Sequence, residues 1–397
     1  MYTEQLSNFL DELNYTGLSA QTVSAAKMCV EDLIGVAVAG SVRPQGRIWS
    51  TYFSGKSGIP EASVWMNSMG RITCENAAAL NAACAHVIDM DDVHNSSITH
   101  LGAITIPAAL AVGQKYHRSG KEVIAAIVAG YEIGARIGEA INPDAYDYWH
   151  TTGVVGAFSS AVAAGKLIGL DKTQLLHAIG SAGTQAAGLW QFICDGAMSK
   201  TLHTANATLC GIRAAELAAL GFTAAKDILC GDRGFLGAMT PQNHPEALVC
   251  DLEKRNYKIL SNSFKPYACC RHTHSANYCA ENLHARHHID WAHIAHICDY
   301  TYQIAKDNVD AANPATPYGY KFSVQYCIAA MLIYGNLMDA SFTAERTAAP
   351  EVQNLMKRIT CTVDPRLEAL YQQDPNKWPH RLEVTMDDGR VFTEEMQ

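Results

Sequence analysis

Residues 121–141 read KEVIAAIVAGYEIGARIGEAI, and this stretch decides the fold class. Its apolar residues recur three and four apart, which puts them on one face of an α-helix. Gly130, Gly134 and Gly138 are spaced by four, so they share a face on which a second helix can pack closely. Membrane helices use the same glycine spacing, but Glu132, Arg136 and Glu139 interrupt this stretch and point to a helix of a soluble protein. Working outward, Ser19 is placed to cap a helix through AQTVSAAKMCVEDLIGVAVAG, with Gly40 as its stop. The N-terminal MYTEQLSNFLDEL has Glu4, Asp11 and Glu12 and no basic segment, so it reads as a short helix and not as a signal peptide. Downstream, helices are expected from Thr152 to Ile168, closed by Gly169, from Thr173 toward Trp190, and from Thr201 to Leu220, closed by Gly221.

Strand signals are almost missing before about residue 255, and then the pattern changes. Ile294–Ile304 alternates and is rich in β-branched and aromatic residues, as a strand is. A helix is expected over Phe322–Tyr334, a short strand over Ile359–Val363, and a hairpin over Arg381–Thr393 about the Asp388-Gly389 turn. The expected fold is therefore mainly α: a large all-helical domain over 1–260 and a smaller α+β domain over 261–397.

Composition narrows the function. The chain has 397 residues, of which 48% are hydrophobic and 17% charged. Disordered chains show the opposite balance, and so little charge points to surface covered by a subunit partner, most simply in a homodimer. The net charge of −9 leaves no basic footprint for nucleic acid. No apolar run reaches the roughly 20 residues that span a bilayer, so no membrane partner is expected. Thirteen cysteines, odd in number and irregular in spacing, fit a reducing compartment better than a disulfide framework. A cytoplasmic protein is the expectation.

Four segments could carry chemistry. The first, His86-Val-Ile-Asp89-Met-Asp91-Asp92-Val-His94-Asn-Ser-Ser-Ile-Thr-His100, gathers three carboxylates and three imidazoles. It fits proton transfer, metal ligation, or a solvated loop with capping aspartates; no standard metal spacing such as HExxH is present. The second, His150-Thr151-Thr152-Gly153, precedes a helix. Thr151 or Thr152 is placed to be its N-cap, and the free N–H groups there favour an anion; His150 is either a ligand to that anion or a plain loop residue. In the third, Lys200 and His203 are three apart at a helix start. Two cations oppose the helix dipole there, and an anionic ligand would relieve the conflict; the alternative is a solvated lysine beside a packed histidine. The fourth, FKPYACCRHTH from Phe264 to His274, offers Lys265 and Arg271 to a carboxylate. Its Cys-Cys-x-His-x-His cluster admits a zinc reading, but zinc ligands normally come as spaced pairs, and buried cysteines account for it as well. Phosphate loops and Rossmann fingerprints are absent.

Taken together, DMDDVHNSSITHLGA, HTTGVVGAFSSAVAAGKLIGL, MSKTLHTANATLCGIRAAELAALGF, FKPYACCRHTH and LEVTMDDGRVF resemble the MmgE/PrpD family, over nearly the whole chain. That family includes 2-methylcitrate dehydratase, cis-aconitate decarboxylase and iminodisuccinate epimerase. The resemblance places the active-site aspartate at Asp89, the histidines at His100 and His150, and lysines at Lys200 and Lys265. It implies a helical domain and a lid domain, a site between them, a homodimer, no cofactor or metal, and di- or tricarboxylate substrates. His203 and Arg271 are expected to join Lys200 and Lys265 in binding substrate. The expected activity is a lyase that dehydrates a citrate- or 2-methylcitrate-type substrate; epimerisation, cis-aconitate decarboxylation and an inactive helical scaffold are the alternatives. Val93 stands where the decarboxylase branch has a threonine, and the Asp89–His100 loop is one residue longer. For the tyrosine that branch uses in its lid, Tyr302 and Tyr318 are loose candidates. The chain ends at Gln397, just after the hairpin, where most of the family continues with helices returning to the first domain.

Overall fold

The computed structural model describes residues 1–56, 58–65 and 69–397. By internal packing the chain forms two compact units, Met1–Trp190 with Ser199–Phe264, and Gln191–Met198 with Lys265–Gln397. The change of unit falls four residues beyond the expected 260, and the short segment 191–198 packs with the second unit.

The first unit is helical. Its elements are α1 (Tyr2–Glu12), α2 (Ala20–Ser41), α3 (Pro44–Ser54), α4 (Cys74–Ala85), α5 (Leu101–Lys115), α6 (Gly120–Ile141), α7 (Thr151–Ile168) and α8 (Lys172–Gly183). After α9 (Gln191–Asp195), which belongs to the second unit, follow α10 (Lys200–Ala219) and α11 (Phe235–Met239). Ser19 caps α2 by accepting the N–H of Thr22, as expected, although the helix runs one residue past Gly40. Gly169 ends α7 in the left-handed region at φ +91°. The helix expected to run from Thr173 toward Trp190 stops at Gly183. A Cβ on Gly183 would stand 2.4 Å from Ile228 Cγ1, and the chain beyond it turns to bring Trp190 to the site described below.

The glycine face of α6 does what its spacing suggests. Cβ atoms on Gly130 and Gly134 would meet Ser159 of α7 at 2.9 and 2.2 Å, so α6 and α7 approach almost backbone to backbone. Gly138 instead faces the loop before α5, where a Cβ would stand 2.6 Å from the Ser97 Cβ. The glycine row thus seats a helix at one end and the chemistry-bearing loop at the other. The described strands of this unit are two-residue pairs: β1 (Ala62–Ser63) with β2 (Arg71–Ile72), and β3 (Val93–His94) with β4 (Asn262–Ser263). α7 is apolar and long enough to cross a membrane, and it is a buried core helix.

The second unit holds α12 (His274–His287), β5 (Ile294–Thr301), α13 (Gln303–Val309), α14 (Val324–Tyr334), α15 (Ala344–Thr347) and α16 (Pro350–Met356). Then come β6 (Ile359–Val363), α17 (Pro365–Gln373), β7 (His380–Met386) and β8 (Val391–Met396). Its sheet runs β6-β5-β7-β8, with β6 parallel to β5 and the other pairs antiparallel. β6 matches expectation, and the β7–β8 hairpin turns at Gly389, φ +85°. The strand expected over Ile294–Ile304 ends at Thr301, because Gln303 already begins α13, and α14 starts at Val324, capped by Ser323, instead of at Phe322.

Candidate active site

Four helix ends of the first unit carry the polar cluster. His86 is the C-cap of α4, His100 the N-cap of α5, His150 the N-cap of α7, and Lys200 and His203 lie in the first turn of α10. Thr151 and Thr152, expected as N-caps of α7, are its first two residues and tie neighbouring segments together. Thr152 Oγ1 accepts the backbone N–H of His100 at 3.1 Å, and Thr151 Oγ1 accepts from Asn142 Nδ2 at 3.1 Å. Asn142 also donates to the Ser97 carbonyl at 2.6 Å. This anchoring holds Ile98 at φ +48°, a region costly for a β-branched residue, two positions before His100.

The loop between α4 and α5 points its three carboxylates in three directions. Asp89 sits at φ +55°, a left-handed conformation that aspartate tolerates, and its Oδ1 is 2.8 Å from Lys200 Nζ, both groups buried. The cation conflict expected at the start of α10 is therefore relieved by this internal aspartate. Asp91 Oδ2 lies 2.8 Å from His86 Nδ1 and 3.2 Å from His100 Nδ1. Asp92 Oδ2 accepts the Tyr131 O–H at 2.8 Å and an Asn262 N–H at 2.7 Å.

The imidazoles stack into one cluster. His86 lies parallel to His150, with centroids 5.6 Å apart, and edge-on to His100 at 4.7 Å. His150 Nδ1 meets His203 Nδ1 at 2.9 Å, so one proton sits between two nitrogens and each ring fixes the other's tautomer. Gly153 and Gly188 admit this approach, since Cβ atoms there would lie 3.1 Å from His203 Cβ and 3.3 Å from His203 Nδ1. Trp190 covers His150 at 4.9 Å and packs edge-on against Tyr146 at 4.8 Å.

Burial pushes His86 and His203 down to about 4, and it holds His150 well below the usual imidazole range, helped by His203 and Lys200. These rings are neutral at pH 7. Asp91 is fully buried, yet the adjoining His86 and His100 hold its carboxyl well below the ordinary range. Asp92 is pushed up to about 6 by burial and by Asp91. The arrangement is thus an ionised Asp91 carboxylate backing the neutral His86 ring and touching His100, the polarity needed to support a general base.

Acid should unfold this unit early. His86 and His94 are both buried and lowered from 6.5 to about 4. Between those values the unfolded chain binds protons that the folded chain does not, so stability is lost as pH falls from 6.5 through 4. Each group contributes about 3 kcal/mol of that loss. Asp92 acts with the opposite sign, as its folded value is raised, but for one group only. Denaturant melts at pH 7 and pH 4.5 should show a large drop in midpoint, and a flat profile would contradict the neutral imidazole cluster.

The structure thus brings Asp89, His100, His150, Lys200 and His203 into one cluster. Lys265 and Arg271 belong to the second unit, where Lys265 is buried and the Arg271 guanidinium lies 5.2 Å over the Trp378 ring. The residues around Arg271 are engaged separately. Cys269 Sγ contacts Thr273 Oγ1 at 3.2 Å, His272 Nδ1 contacts the Tyr302 hydroxyl at 2.6 Å, and His274 Nε2 contacts the Cys269 carbonyl at 3.2 Å. Among the described residues these cysteines and histidines do not gather as a donor set. His86, Asp91 and His100 do offer atoms within 4.8 Å of one another, a spacing a divalent cation could use. Sequence reading singled out Asp89 and His100 but missed that His86 and Asp91 are central, and that His203 contacts His150. The crowding of His86–His100 was the available signal; the direction of each side chain was not.

Residues 4–248 match the MmgE/PrpD N-terminal domain, and residues 267–397 match the C-terminal domain of the same family. The chain is 27% identical to a cis-aconitate decarboxylase-like protein of Aspergillus oryzae, covering 90% of this chain and 79% of that protein. It is 26% identical to a cis-aconitate decarboxylase of Aspergillus terreus, over 100% and 84% of the two chains. It is also 26% identical to a 2-methylcitrate dehydratase of Cupriavidus necator, over 91% and 74%.

Proposed function

Because the chain belongs to the MmgE/PrpD family, we propose that it is a lyase acting on a small di- or tricarboxylate. The finer reading is cofactor-independent dehydration of a citrate- or 2-methylcitrate-type substrate. The observation that carries this is the convergence of the starts of α5, α7 and α10, which present His100, His150 and Lys200 beside the Asp91-backed imidazoles. Helix starts favour anions, and neutral imidazoles beside them take up protons when a polyanion arrives.

Dehydration removes a proton alpha to a carboxylate and returns one to the departing hydroxyl, so that water leaves and a C=C bond forms. A base and an acid suffice, and both can be imidazoles. His100, next to ionised Asp91, has the environment of the base; His150, whose proton is shared with His203, is the group that exchanges a proton with the leaving oxygen. The relatives named for cis-aconitate decarboxylase favour a second reading, in which the same groups protonate a C=C bond while CO2 leaves. Epimerisation of a dicarboxylate is a third use of the same pair, proton removal and return without loss of a group.

The test is an NMR screen of citrate, 2-methylcitrate, cis-aconitate and amino-dicarboxylates in deuterated water. Dehydration is expected to yield the unsaturated acid, with deuterium entering the substrate pool. Loss of CO2 would support the second reading, and exchange without a new product the epimerase. No reaction with any of them would reject a polycarboxylate lyase. The same preparation, treated with a chelator, should keep its rate; a rate lost to chelation and restored by zinc would overturn cofactor independence.

A further inference from the structure

We propose that Asp92 is a positioning residue for the Asp91–His100 pair, locking the turn that carries His100 against the loop that carries Asp91. The proposal rests on reading Asp91 and His100 as the proton-transfer pair. Asp92 is fully buried, and its carboxylate is hydrogen-bonded to two elements and packed against a third. Oδ2 accepts from Tyr131 of α6 at 2.8 Å and from Asn262 of β4 at 2.7 Å. The other oxygen lies in the first turn of α5, where a Cβ on Gly102 would stand 2.0 Å from Oδ1 and 2.8 Å from the Tyr131 hydroxyl oxygen. Gly102 follows His100, the N-cap of this fifteen-residue helix, by two positions. Its missing side chain is what lets a carboxylate come so close to the helix start, where the dipole favours negative charge.

The neighbouring pairing completes the clamp. Val93 and His94 pair with Ser263 and Asn262 directly after Asp92, so the peptide leaving Asp92 is fixed as well as its side chain. The backbone of His100 is held from the other side by Thr152. Asp91 and His100 are nine positions apart, and the loop between them holds one strained residue, the left-handed Ile98. Such a loop keeps a 3.2 Å contact between Asp91 and His100 only if its surroundings over-determine it. Asp92 makes no hydrogen bond to Asp91 or His100 among the described residues, but its charge is felt by both, so Tyr131→Phe and Asn262→Ala, which loosen the clamp and leave the charge in place, isolate its positioning role.

The experiment compares Asp92→Asn, Tyr131→Phe and Asn262→Ala with the wild type. Each is assayed for kcat and KM on the best substrate of the screen, and by proton NMR of the hydrogen-bonded imidazole N–H signals in the substrate-free protein. Asp92→Asn is expected to lower kcat about ten- to hundredfold with KM within about threefold, and to shift or broaden the His100 N–H signal. Tyr131→Phe and Asn262→Ala should do the same to a smaller degree, and they decide the matter if Asp92→Asn does not fold. Folded variants with wild-type kcat and unchanged imidazole signals would overturn the proposal. If the wild type turns over none of the acids, the lyase reading fails, and the NMR arm alone decides the role of Asp92.

Discussion

His100→Ala and His150→Ala are each expected to lower turnover by about two to four orders of magnitude, the range for losing a positioned acid or base. The structure separates the two variants in other respects. Removing the His100 ring leaves Asp91 its 2.8 Å partner His86, so the buried carboxylate keeps a hydrogen bond and the fold should hold. The His100 ring is also at the edge of the cluster, partly open on its side chain, so added imidazole should restore part of the rate. Removing the His150 ring empties space between Trp190 and His86 and takes the partner from His203. A stability cost of about 2–4 kcal/mol is expected in addition, with little rescue, because the ring is fully enclosed. Steady-state rates on the best substrate and thermal melts of both variants test this. Turnover within tenfold of wild type in both would remove these histidines from the mechanism.

The difference between the two histidines could not be read from the sequence. Helix positions were legible because they follow local rules: Ser19 as a cap, Gly169 in the left-handed region, and Gly130, Gly134 and Gly138 repeating on one face. The hairpin about Gly389 was legible for the same reason. The end of α8 at Gly183 was not; the Ile228 side chain, which packs where a Cβ on Gly183 would stand, arrives from elsewhere in the chain. The site shows the same limit. Asp89, Asp91 and Asp92 are nearly consecutive, and spacing says nothing about which one meets Lys200, which meets the imidazoles and which meets Tyr131. A single left-handed residue at Asp89 sends them apart. His203 was grouped with Lys200 because they share a face, yet Lys200 turns to Asp89 and His203 to His150, 53 positions away.

Lys200→Met is expected to damage both stability and binding, and a second variant pulls the two apart. Lys200 Nζ and Asp89 Oδ1 form a 2.8 Å ion pair with both side chains almost wholly buried. Removing one partner leaves a buried charge without compensation, at a cost of about 3–5 kcal/mol. A substrate carboxylate reaching Lys200 gains a charge-assisted hydrogen bond of about 1.5–3 kcal/mol, so its loss should raise KM about ten- to hundredfold. If Lys200 served only to neutralise Asp89, replacing both would repair everything. In Asp89→Asn/Lys200→Met no charge is left to strand, and most of the lost stability should return. KM should stay high, because no cation remains for the substrate. Denaturant melts and steady-state kinetics of both singles and the double give the coupling directly. A double variant with wild-type KM would show that Lys200 serves the fold alone, and a single variant that melts like wild type would show that the buried pair contributes nothing.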